Sequence, residues 1–168
     1  MRRVKREYHY LDTNYLLAYL ARRYRDFLKG ADFDIDEDQI RQANSVISYL
    51  NPSKIKVPVF VLAELVMQLK EKNVNVGIDV LFGYFEIAML RMEDFNNFIK
   101  ALKMLIKDEW LEEMDSIIVA HAISSSECKS LLTFDKNLIS SKTINDTNKV
   151  INGSEGILIT SDPRLFSK

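Results

Sequence analysis

Short apolar runs that end at an acidic residue and pass straight into a helical pattern recur along this chain, and that junction limits what it can fold into. Tyr8 to Leu11 is aromatic-rich and stops at Asp12-Thr13-Asn14, after which Tyr15 to Ala21 reads as a helix opened by polar capping residues. Arg22, Arg23 and Arg25 fall near its C-terminal end, where positive charge complements the helix dipole. Ile55 to Phe60 is β-branched, contains Pro58 and feeds the helix-forming run Leu62 to Leu69, which carries Glu64. Ser130 to Phe134 is a further apolar run, ending at Asp135. Phe82 to Leu90 and Gly156 to Thr160 complete the expected strands. Ile40 to Leu50, Glu93 to Lys107 and Met114 to Ser125 space their apolar residues as helices do, the first after a polar loop over 29–38 and before the stop Asn51-Pro52-Ser53. Strands alternating with helices predict an α/β fold: a mainly parallel sheet of about five strands with helices on both faces, its functional groups at the carboxyl ends of the strands.

Two acids, Asp12 and Asp135, fall directly after strands and therefore at those carboxyl ends. Glu64 lies early in the helix after the second strand and Asp115 near the start of the helix before the fourth, so all four carboxylates can converge. Like charges a few ångströms apart raise one another's pKa unless something positive sits among them. A hard divalent cation resolves this, and Mg²⁺ and Mn²⁺ favour carboxylate and water oxygens while leaving positions for a phosphate. With such ions a bound water can lose its proton near neutral pH, which suits phosphodiester hydrolysis without a nucleophilic side chain. No Gly-x-Ser-x-Gly elbow, Walker A loop, dinucleotide fingerprint or His-Glu-x-x-His motif offers another chemistry. Singly, each acid has an ordinary reading as well: Asp12 as a helix cap, Asp115 as one of the run Glu109, Glu112, Glu113, Asp115, and Asp135 as the opening of a turn. Glu64 is the hardest to dismiss, because Leu62, Ala63, Leu65 and Val66 surround it and an unpaired carboxylate is unfavourable there.

In order and spacing, Leu11-Asp12-Thr13-Asn14, Val61-x-x-Glu64, Asp115-x-x-Ile118-x-Ala120-x-Ala122 and Leu132-Thr133-x-Asp135 resemble a PIN domain over about residues 8 to 160. The resemblance implies an α/β/α sandwich and a metal-dependent endoribonuclease that cleaves single-stranded RNA by metal-activated water. Asp12, Glu64 and Asp115 are then the principal Mg²⁺ or Mn²⁺ ligands, Asp135 the fourth acid, and Asn14 and Thr133 polar support behind them. Lys136, next to Asp135, is the basic residue with a positional claim on substrate phosphate. Many bacterial and archaeal members are VapC-like toxins held by an antitoxin, and members often form homodimers. Two departures stand out: Val61 occupies a place where the family often has Ser or Thr, and 29–53 and 145–155 read as additional material. A non-catalytic PIN-like binding or scaffold domain is the alternative. A haloacid-dehalogenase-type phosphatase also uses an Asp after its first strand, but it expects a second Asp where Asn14 stands.

A chain of 168 residues suits one domain, expected to span residues 1–168. Its 23 basic and 24 acidic side chains nearly cancel, so no net positive field advertises nucleic acid and any polyanion must meet a local patch. One cysteine, Cys128, excludes an intrachain disulfide and a cysteine zinc cage, and fits a reducing compartment such as the cytoplasm. The N-terminal Arg2, Arg3, Lys5 and Arg6 lack the apolar stretch of a signal peptide, and no run is long enough to span a membrane. Asp32-x-Asp34-x-Asp36 starts like a calcium loop, but Glu37 holds the glycine position and Ala43 the place of the bidentate Glu. His121 lies six positions after Asp115 and so points away from it on a helix, which predicts a structural or surface histidine.

Overall fold

The computed structural model describes residues 5–23, 33–74 and 83–166. Arg25, Asp32 and Phe82 lie outside the described residues. The strands are β1 (Tyr8–Leu11), β2 (Ile55–Pro58), β3 (Glu86–Ala88), β4 (Cys128–Leu132) and β5 (Leu158–Thr160). They form one sheet in the order β3-β2-β1-β4-β5 with every pairing parallel. The helices are α1 (Thr13–Arg23), α2 (Glu37–Leu50), α3 (Val59–Glu71), α4 (Phe95–Leu105), α5 (Glu113–Ser124), α6 (Lys136–Ser140) and α7 (Lys142–Asn152).

Alternate side chains of β1 show how both faces are covered. Tyr10 points to α5, where its ring lies 5.7 Å from that of His121. His9 points the other way, donating to or accepting from Ser130 at 2.7 Å beside the end of α2. Helices α1 and α2 pack together, and α4, α5 and α7 form a second group, giving three layers. His121 is buried between Tyr10 and Phe60, and that burial pushes its pKa down to about 4, so it is a neutral core residue. Asp36 closes a capping box with Gln39 at the start of α2, which accounts for the last acid of the calcium-like run without a cation.

Several boundaries differ from expectation for local reasons. β2 stops at Pro58, which has no N–H to continue a ladder and stands at the cap of α3, so Phe60 is helical. β3 is only three residues long, within the broader run anticipated. Residues 145–152 of the expected additional material form most of α7, whose buried face includes the polar Thr147 and Asn148. Asn148 brackets Ile157, accepting from its N–H at 3.1 Å and donating to its carbonyl at 2.8 Å, and it packs so closely on Gly156 that a Cβ there would lie 2.9 Å from it.

Near the amino ends of the strands a buried ionic network crosses the sheet. The Lys56 ammonium reaches both oxygens of Glu127 at 3.1 Å and Glu86 at 3.1 Å, and it lies 3.9 Å from the centre of the Tyr8 ring. Tyr10 donates to Glu127 at 3.0 Å, and Arg91 approaches the same carboxylate at 3.3 Å. Burial alone would lower the Lys56 pKa, but its bonds to Glu86 and Glu127 outweigh that and raise it. Removing one partner strands the other, whereas replacing the pair by apolar residues does not. Glu127→Ala is expected to lose on the order of 2 kcal/mol in urea unfolding, and Lys56→Met with Glu127→Leu to recover at least half of it. A loss of under about 0.5 kcal/mol for the single variant would contradict this reading.

Candidate active site

Strand order reverses between β1 and β4, and in a parallel sheet that switch point opens a crevice beyond the carboxyl ends of the two strands. Leu11 pairs with Leu132, and the Asp12 N–H donates to the Leu132 carbonyl at 2.9 Å. Asp12 and Thr133 therefore leave the sheet side by side. The Asp12 side chain, 3% exposed, is fixed at both oxygens: Oδ1 accepts from the Thr13 N–H at 2.8 Å and Oδ2 from the Thr133 hydroxyl at 2.7 Å. Asn14 accepts from the Phe134 N–H at 3.1 Å, and Tyr15 stacks on Phe134 with ring centres 4.4 Å apart. Thr133 thus bonds the Asp12 carboxylate, and Asn14 holds the backbone beyond Thr133.

Glu64 enters from the second turn of α3. Its Oε2 accepts from the Thr13 hydroxyl and its Oε1 from Gln68 Nε2 at 3.3 Å. Neither Thr13 nor Gln68 was singled out from the sequence in this role; Gln68 lies one helical turn beyond Glu64, and that spacing was the available signal. Val61, where the family often carries a hydroxyl, is buried in the core, and Thr13 supplies a hydroxyl to Glu64 instead. Asp115 stands in the first turn of α5, and Asp135 caps α6 by accepting from the Asn137 N–H at 2.7 Å. The turn-opening reading of Asp135 is therefore correct for one of its oxygens. Lys136, the first residue of α6, is exposed.

The four acids share one electrostatic field. Burial pushes Asp12 up to about 6 against the lowering effect of its bonds from Thr133 and Thr13, and the charges of Glu64 and Asp135 push it the same way. Asp115 rises to about 7, first through burial and then through Asp12, Glu64, Asp135 and Glu112. Among the described residues no Lys or Arg forms an ion pair with any of the four. Asp162 shows the opposite case: Arg164 bonds it at 2.7 and 2.8 Å and holds its carboxyl below the ordinary range. Among the described residues no three His, Cys, Asp or Glu side chains close into a ready-made ligand shell. The donor set is nonetheless all oxygen and uncompensated, which suits a hard cation that retains part of its water shell.

The sequence profile of the PIN domain matches residues 9–142, from β1 to the start of α7. The chain belongs to the PIN domain family. PIN domains are generally nucleases and generally use divalent metal ions. Among solved structures, this PIN domain is similar to VapBC2 from Rickettsia felis bound to a DNA fragment from their promoter. The TM-score is 0.50 at 16% identity, over 92% of this chain and 98% of the other, a likeness of fold. No curated protein matches the chain. No helix among the described residues is long and apolar enough to cross a membrane.

The raised carboxyls carry a stability consequence with a definite sign. In the unfolded chain they ionise near the usual carboxylate value, while in the fold Asp12 and Asp115 hold their protons to about 6 and about 7. Their contribution is present at low pH and is lost as pH rises through that window. Between about pH 5 and pH 8, metal-free wild type should lose more thermal stability than Asp115→Asn, and Mn²⁺ should restore wild type at the upper pH and do little for the variant. Parallel melting-temperature profiles for the two proteins would contradict the assignment.

Proposed function

We propose that this chain is a divalent-metal-dependent endoribonuclease that cleaves single-stranded RNA, with Asp12, Glu64, Asp115 and Asp135 as the acids that hold Mg²⁺ or Mn²⁺. The observation that carries it is a set of mutually repelling carboxylates at the switch point of a PIN domain, with no basic partner among the described residues. A cation held by these acids supplies the charge that neutralises phosphate and activates water. The protein's own groups do the positioning. Thr133 and Thr13 fix both oxygens of Asp12, and Thr13 and Gln68 hold Glu64. Orientation from behind of this kind keeps ligands in place before substrate arrives. Lys136, exposed beside Asp135, meets the phosphate backbone of the bound strand. His9, His121 and Cys128 are engaged elsewhere in the fold, in keeping with water as the attacking group.

The proposal extends to context. Residues 1–168 act as a single PIN-like domain in the cytoplasm, as a homodimer, with an antitoxin protein as partner. The fold shared with the Rickettsia felis VapBC2 structure and the PIN-domain match support the toxin–antitoxin setting. Wild type is expected to cleave single-stranded RNA with stimulation by Mn²⁺, and Asp12→Asn and Asp115→Asn each to lower kcat/KM by about a hundredfold or more. Undiminished cleavage by both variants would sink the assignment. Calorimetry that detects no divalent-ion binding would favour the non-catalytic scaffold instead.

A further inference from the structure

Trp110 is the only tryptophan of the chain, and 90% of its surface is exposed. Tryptophan offers more apolar area than any other side chain, so an indole left almost wholly in water calls for an occupant. Its turn, between α4 and α5, is pinned. Trp110 N–H donates to Asp108 Oδ1 at 3.0 Å, and Leu111 N–H to the Asp108 carbonyl at 3.1 Å. The Thr143 hydroxyl of α7 and the Trp110 backbone N–H hold the Asp108 carboxyl below its ordinary pKa. The ring is thus presented by a turn tied to a neighbouring helix.

Beside it lies a cavity of about 450 Å³ bordered by Asp108, Trp110, Leu111, Asn137, Lys142 and Thr143, with Ser140 and Ser141 completing the wall. That volume falls within the range of small-ligand sites. Two short stretches of chain connect its lining to the acid cluster. Asn137 is the residue whose N–H donates to Asp135 at 2.7 Å, and the Trp110 turn runs into Glu112 and the first turn of α5, which carries Asp115. Lys142 on the cavity wall and Lys136 next to Asp135 are both exposed, and they supply positive charge to a chain of even balance.

Resting on the ribonuclease assignment, we infer that Trp110 and this cavity hold an unpaired base of the RNA strand close to the bond cut at the acids, with the base stacked on the indole and its phosphate near Lys142. Stacking on an aromatic face accepts every base, and stacking between neighbouring base pairs within a duplex hides the base faces. The subsite therefore gives a physical reason for cutting single strands in preference to duplexes.

Because Trp110 is the sole tryptophan, its emission reports the contact directly. The Asp115→Asn protein, kept free of divalent ions so that the RNA stays intact, is titrated with a fluorescently labelled single strand of roughly a dozen nucleotides, following indole emission and label anisotropy together. The emission should be quenched with the same midpoint as the anisotropy, and a duplex of the same sequence should not quench it. Adding Trp110→Ala should weaken binding about tenfold and Trp110→Phe much less; in the otherwise wild-type protein the loss for Trp110→Ala should fall mainly on KM. RNA that binds by anisotropy with unchanged emission, or with equal affinity for Trp110→Ala, overturns the subsite even where wild type cleaves RNA. Quenching by RNA that wild type never cleaves in Mn²⁺ upholds the subsite and removes the ribonuclease. No binding at all removes the subsite, and with no cleavage by wild type in Mn²⁺ it removes the ribonuclease as well.

Discussion

Parallel pairing of β1 with β4 decides where this protein can place its chemistry. Leu11 faces Leu132 across the ladder, and the Asp12 N–H extends that ladder onto the Leu132 carbonyl. A slip of one residue would turn alternate side chains to the opposite face and separate Asp12 from Thr133. The pairing lies at the reversal of strand order, so the chain leaves in opposite directions from β1 and β4 and opens a crevice between them. Helices α3 and α5 bring Glu64 and Asp115 to the same end, and α6 brings Asp135.

The fold treats its buried charges in two distinct ways. Lys56 with Glu127, and Asp162 with Arg164, are neutralised within the protein and lie in networks with each donor answered. Asp12 has a hydroxyl, a backbone amide and other carboxylates around it, Asp115 has the other carboxylates, and burial among them raises both pKa values. Leaving charge uncompensated costs stability, and such sites cluster where a protein binds or reacts. Among the charges that touch the sheet, that contrast sets the Lys56–Glu127 network near the amino ends of the strands apart from the proposed metal-holding acids at the carboxyl ends.

Features governed by local chemistry are legible in the sequence. A strand that ends at an acid before a helix announces its own junction, so the places of Asp12, Glu64 and Asp135 follow from the residues on either side of them, and that of Asp115 from its position on a helix. Contacts across long stretches of chain are not legible in this way. Thr13 reaches Glu64 only because α3 passes over the start of α1, and Lys56 meets Glu127 only through strand order. Helix α7 carries few apolar residues, and Asn148 and Thr147 stand on its buried face, Asn148 to bind the entry of β5. Trp110 is an ordinary residue in the sequence; its turn, its exposure and its place beside the helix that Asp135 caps give it meaning only together.

Anomalous X-ray scattering from crystals soaked in Mn²⁺ tests the central claim most directly, because it locates the cation without reference to activity. A peak bounded by the carboxylates of Asp12 and Asp115, with Glu64 or Asp135 reached directly or through water, is the predicted result. Full Mn²⁺ exposure with no peak between those acids, or with the ion bound elsewhere, would contradict it.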